Sequence, residues 1–167
     1  MVQPQALRLL GSGRAYLPEL LELMTRVELL SELSGRDAEI LAHYLQAYAA
    51  DAGCVIFSEG DPGHYMCLLA SGRIASYKES DIAHQAQVAD ESRGRSVGEM
   101  ALIDGEPRSA TCMATEASVL LLLSQAAFQR LVEERPVLAL KLVLRIAKLM
   151  SRRLRLTSGR LVDYLDT

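Results

Sequence analysis

Apolar residues recur at helical spacing between Leu17 and Ala50, first as Leu17, Leu20, Leu21 and Met24, then as Ile40, Leu41, Tyr44 and Leu45. Ser34-Gly35 separates the two blocks, with Ser34 as an N-cap and Asp37 in the first turn of the second helix. Beyond Asp51 the pattern shortens. Cys54–Phe57, Tyr65–Ala70, Ile74–Tyr77, His84–Ala89, Ala110–Ala114 and Ser118–Leu123 read as strands, divided by turn clusters such as Gly60-Asp61-Pro62-Gly63 and Ser71-Gly72. Six short strands at roughly ten-residue spacing predict a barrel or sandwich. The helical period returns after Ser124, which can cap a helix through Val132, and again from Pro136, a residue suited to a first helical position. The fold class is therefore α+β, mainly β, with helices before and after the strands.

The last helix runs to about Tyr164 and carries a seam in steps of three and four: Leu140, Val143, Ala147, Met150, Leu154, Thr157, Leu161 and Tyr164. Such a seam serves either packing along the chain's own barrel or a two-stranded coiled coil between protomers. A helix this long outruns a small domain, which favours a homodimer. Residues 1–14, with Gln, Pro and Gly11-Ser12-Gly13, read as a flexible arm.

Composition narrows the classes. The chain has 167 residues, half of them hydrophobic, with a net charge of −3, so a core is affordable and nucleic-acid binding by the whole chain has no electrostatic support. Three cysteines (Cys54, Cys67 and Cys112) without CxxC spacing read as buried thiols in a reducing compartment. No signal-peptide pattern opens the chain, and the most apolar run, Ala117–Leu123, is too short to cross a bilayer. A soluble, cytoplasmic protein without membrane contact is expected. The histidines His43, His64 and His84 are scattered, and no pair has metal-ligand spacing. No enzyme, metal or cofactor is expected.

Residues 96–111, Ser-Val-Gly-Glu-Met-Ala-Leu-Ile-Asp-Gly-Glu-Pro-Arg-Ser-Ala-Thr, carry the chemistry. Gly98 lets backbone approach a ligand, and Glu99–Ile103 reads as one helical turn whose N–H groups face an anion. Arg108 can grip a phosphate with two parallel bonds. Glu99 repels phosphate and suits a neutral donor such as a sugar hydroxyl. On spacing alone, a surface ion pair between Glu99 and Arg108 explains the same residues.

This run resembles the phosphate-binding cassette of cyclic-nucleotide-binding domains, as in protein kinase A regulatory subunits and the catabolite activator protein. Leu29–Ser34, Phe57–Gly63 and Ser71–Ile74 extend the resemblance over about residues 25–165. It implies a jelly-roll-like β-roll flanked by helices, with the binding domain at 15–135 and a dimerisation helix at 136–167. On it, Glu99 accepts from the ribose 2′-hydroxyl, and Arg108 pairs with the cyclic phosphate, aided by Gly98, the Ser109 hydroxyl and backbone N–H groups near Met100 and Ala101. Val97 departs from the aromatic residue that many members carry there. Arg152–Ser158 resembles the dimer helix of the catabolite activator protein, where a Thr-Ser pair recognises adenine and the Ser comes from the partner subunit. Thr157 and Ser158 then favour cAMP over cGMP, although a polar pair in a fraying helix end is the plainer explanation.

The expected protein is a cyclic-nucleotide sensor, acting through helix and dimer rearrangement on a downstream protein that nothing in the sequence names. The chain stops at Thr167 without a helix-turn-helix. Lys141, Arg145, Lys148, Arg152, Arg153, Arg155 and Arg160 read as a solvated helix face, so DNA is not an expected partner. The rival readings are a degenerate roll serving as a dimeric scaffold, and a different ligand: cGMP, or a cyclic dinucleotide drawn to Arg93 and Arg95.

Overall fold

The computed structural model describes residues 7–78, 86–92 and 94–165, with side chains over 7–78 and 94–159. Among the described residues, nine strands and five α-helices follow one another: β1 (Arg8–Ser12), α1 (Leu17–Met24), α2 (Gly35–Ala42), β2 (Gln46–Ala50), β3 (Val55–Phe57), β4 (Tyr65–Ser71), β5 (Arg73–Lys78), β6 (Ala86–Ser92), β7 (Ser96–Val97), α3 (Glu99–Asp104), β8 (Thr111–Ala114), β9 (Ser118–Ser124), α4 (Gln125–Glu134) and α5 (Pro136–Leu165). Every strand pair is antiparallel, in two sheets ordered β1-β2-β9-β4-β7 and β3-β8-β5-β6. This is the expected β-roll with helices on one side.

The five-stranded sheet is a shared wall. Successive strand residues face opposite sides, and both sides are buried. On β4, Met66, Leu68 and Ala70 face the helices, while Tyr65, Cys67 and Leu69 face the roll interior. On β9, Leu121 and Leu123 belong to the helix-side core, and Leu120 and Leu122 to the interior. All four leucines are at most 2 % exposed, and each contributes about 2 kcal/mol of hydrophobic stabilisation. A strand buried on both faces loses polar alternation, which explains the unbroken apolar run in β9.

Local chemistry sets the helices as the sequence suggests. Ser34 Oγ accepts from Asp37 N–H at 3.1 Å, and Ser124 Oγ from Ala127 N–H at 3.1 Å. Pro136 opens α5, whose Leu138, Ala139, Leu142 and Ile146 enter the helix-side core. Three ion pairs bind α5 to the N-terminal helical segment: Lys141 with Asp37 at 2.7 Å, Arg145 with Glu32, and Arg152 with Glu28 at 3.7 Å.

Two expectations need correction. Residues 46–50 continue the helical reading in the sequence but form β2, pairing Gln46–Ala50 with Leu122–Ser118. Nor is the stretch to residue 14 wholly an arm, because Arg8–Ser12 adds β1 to the edge of β2. In both segments long-range pairing overrides weak local preference. Of the strand expected over His84–Ala89, His84 and Gln85 lie outside the described residues, and Ala86–Ser92 is β6.

The α5 seam also divides. Val143 and Met150 are half-buried, whereas Leu140, Ala147, Leu154 and Thr157 are exposed. Leu161 and Tyr164 fall outside the described side chains. The exposed apolar line runs instead through Val137, Leu140, Leu144, Ala147 and Leu154, still at heptad spacing.

Candidate functional site

Residues 96–111 leave the wall at β7, whose Val97 pairs with Cys67, and turn at Gly98 into α3. Gly98 has φ of +75°, and a Cβ there would meet Arg108 Nη1 at 2.3 Å. Glycine is thus required twice, by conformation and by space. The helix ends at Gly105, also left-handed, while Asp104 Oδ1 accepts from Glu106 N–H at 3.0 Å. Leu102 roots α3 in the helix-side core.

The 58–63 turn clamps the other end. Arg108 N–H donates to Asp61 O at 2.8 Å, and Gly60 N–H donates to Arg108 O at 2.9 Å. A Cβ on Gly63 would lie 2.0 Å from Ala101 Cβ, so the turn packs directly against α3.

Arg108 is 3 % exposed. Its Nη1 donates to Gly98 O at 3.1 Å and its Nη2 to Tyr65 O at 2.6 Å. Nε is buried without a hydrogen-bond partner. Among the described residues no carboxylate pairs with this guanidinium, and burial lowers its pKa. A buried cation held only by neutral groups is costly by itself and suited to an incoming anion.

Glu99 is also buried, at 3 % exposure. It does not pair with Arg108, so the surface ion pair is ruled out. Arg153 Nη1, from α5, donates to Glu99 Oε1 at 2.6 Å, and Arg153 Nη2 donates to Ser96 O at 2.8 Å. Arg153, expected on a solvated face, instead turns inward from α5. Its position held a signal, since Ile146, Met150 and Arg153 follow one another in steps of four and three on the packed side of α5.

The other expected site residues divide by exposure. Ala101 is buried beneath the turn, Met100 is 46 % exposed, and Ser109 is exposed beside Arg108. Thr157 and Ser158 are both exposed on α5. Thr157 lies one turn beyond Arg153, on the side that reaches Glu99, whereas Ser158 follows Leu154 on the exposed apolar line. The structure brings Gly98, Glu99 and Arg108 together, adds Arg153, and leaves Thr157 and Ser158 at the margin. Arg93 lies outside the described residues.

The family model described as "Cyclic nucleotide-binding domain" matches residues 49–135, a span holding Gly98, Glu99 and Arg108. The chain belongs to the cyclic nucleotide-binding domain family. This cyclic nucleotide-binding domain is 35 % identical over 108 residues to a cAMP-dependent protein kinase regulatory subunit of Hypocrea atroviridis, covering 65 % of this chain and 22 % of that one. It is 31 % identical over 123 residues to the cyclic AMP receptor protein of Thermus thermophilus, covering 74 % and 55 %. The chain thus spans well under two thirds of both relatives. A solved cyclic nucleotide-binding domain from Methylobacillus flagellatus KT superposes with a TM-score of 0.81 at 32 % identity, over 94 % of this chain and 88 % of that one.

The cations of α5 have internal work. Lys141, Arg145, Arg152 and Arg153 each reach an acid of the same chain. No disulfide joins the three cysteines, and Cys67 and Cys112 are buried. Among the described residues, no group of three or more His, Cys, Asp or Glu could hold a metal ion. No helix among them is long and apolar enough to cross a membrane.

Proposed function

We propose that this domain is a cAMP sensor that signals through the position of α5. The observation that carries the reading is Arg108, buried, without a carboxylate partner, and with Nε unpaired. A cyclic phosphate supplies the missing charge, and the exposed Ser109 hydroxyl adjoins it. Backbone N–H groups around Met100 and Ala101 assist. Glu99 accepts from the ribose 2′-hydroxyl, and its bond to Arg153 makes α5 part of the ribose site.

The cAMP-named relatives favour adenine over guanine. Thr157 meets the base in its own protomer on this reading, which its exposed position one turn beyond Arg153 supports. Ser158 lies on the apolar line of Val137, Leu140, Leu144 and Leu154, each more than half exposed. That line fits a second copy of α5, so Ser158 reaches the partner's base. Ligand and dimer contacts then bias one helix between two positions. The coupled output goes to a downstream protein in the cytoplasm.

Calorimetric titration with cAMP, then cGMP, tests the reading, with Arg108→Ala as control. Micromolar or tighter binding that prefers cAMP and is lost in the variant is expected. Equal binding by Arg108→Ala would overturn the site.

A further inference from the structure

The guanidinium of Arg108 sits in a corner made by two aromatic rings from outside the 96–111 run. Its central carbon lies 4.1 Å from the ring centroid of Phe57, on β3, and 4.7 Å from that of Tyr65, on β4. The rings meet edge to face, with centroids 6.3 Å apart and planes at 69°. Tyr65 is itself fixed, because its hydroxyl donates to Ile56 O at 2.6 Å, next to Phe57. The corner therefore ties β3 of one sheet to β4 of the other at the point where the arginine lies.

We propose that Phe57 and Tyr65 are positioning residues that hold Arg108 charged, oriented and unneutralised for its ligand. The inference rests on the reading that Arg108 meets a phosphate. A buried guanidinium needs compensation for lost hydration. A carboxylate would supply it but would also occupy the donors and cancel the charge. Ring faces compensate a cation through their quadrupole and take no N–H group. Gly98 O and Tyr65 O tether the two terminal nitrogens, and the rings restrict the plane. What remains is Nε, the one guanidinium nitrogen without a partner, left for the phosphate. The corner thus prepares the arginine before the ligand arrives, which lowers the cost of binding.

Phe57→Leu and Phe57→Met keep an apolar side chain but remove the ring face. Each is expected to weaken cAMP binding roughly three- to tenfold while the thermal midpoint stays near that of the parent. Phe57→Tyr, which restores the face, is expected to bind like the parent. A second readout needs no ligand: the Nε–H resonance of Arg108, identified by its loss in Arg108→Lys, should be displaced by ring currents and should move toward an ordinary arginine position in Phe57→Leu. Unchanged affinity in both ring-free variants, or weaker binding with an unmoved Nε–H resonance, would overturn the positioning role. Arg108→Ala separates the two claims. Parent-like binding by that variant sinks the phosphate reading, whereas an Nε–H resonance without ring-current displacement sinks the corner.

Discussion

Arg153 reaches back across 54 residues of sequence to Glu99 and binds its carboxylate at 2.6 Å. The same guanidinium holds the carbonyl of Ser96 at 2.8 Å, so one side chain of α5 grips both ends of the Gly98 turn. The acid that would read the ribose is thus already in contact with the helix that would carry the message.

Arg153→Ala leaves the Glu99 carboxylate buried with a major partner removed. Breaking such a pair costs several kcal/mol when both groups are buried. Arg153 keeps 28 % of its side chain exposed, so the expected loss is about 2 kcal/mol. Urea unfolding should show a lower midpoint at unchanged slope. Adding Glu99→Gln should recover most of the loss, because a neutral amide is cheaper to bury.

Arg108→Ala should cost the most affinity of any single change at the site. A charge-assisted contact to phosphate is worth on the order of 2 kcal/mol, roughly thirtyfold in Kd. Arg108→Lys should rescue little, since an ammonium cannot bind Gly98 O, Tyr65 O and a phosphate together in the same plane. Calorimetry of the three proteins checks this order.

Acid should loosen α5. The bond from Lys141 holds the Asp37 carboxyl below its ordinary value of 3.8. A carboxylate depressed in the folded state stabilises above its unfolded pKa, and that contribution fades as pH falls through the folded one. Thermal midpoints measured from pH 5 to pH 3 should therefore drop more steeply for the parent than for Asp37→Asn. Parallel curves would remove this ion pair from the acid response.

Leu140→Glu with Leu154→Glu places charges on the exposed line of α5, where both leucines are more than half exposed. Sedimentation should show a monomer that keeps its fold, against a dimer for the parent. A monomeric parent would exclude association through this face.

Thr157→Ala and Ser158→Ala should together narrow the preference for cAMP over cGMP while leaving phosphate affinity in place. Mixed dimers carrying Ser158→Ala in one protomer should contain one altered site, located in the other protomer. Competition binding with both nucleotides reads the result.

The chemistry at 98–111 is legible because its parts are contiguous: a glycine, an acid, a short apolar turn and an arginine after proline. The middle strands of the roll are legible for the same local reason, since turns punctuate β3, β4 and β5. Arg153 escapes because a cation on a long amphipathic helix ordinarily faces water, and only its register with Ile146 and Met150 says otherwise. Phe57 and Tyr65 escape because an aromatic in a strand reads as core. The strand at 46–50 is hidden by Ala47, Ala49 and Ala50, small residues that accept either period until β9 pairs with them. The expected seam on α5 alternates between two apolar stripes, the exposed Leu140, Ala147 and Leu154 and the half-buried Val143 and Met150, and burial alone separates them.

Strand β9 divides its leucines between two compartments. Leu120 and Leu122 pack in the roll interior with Tyr65, Cys67 and Leu69, and Leu121 and Leu123 support the helices. Neighbouring positions therefore answer to different packing partners. Substitution at 120 or 122 disturbs the packing between the two sheets, while substitution at 121 or 123 disturbs the seat of the helices. A single strand thus keeps two cores in register, so a change of shape in one is felt at the neighbouring position of the other.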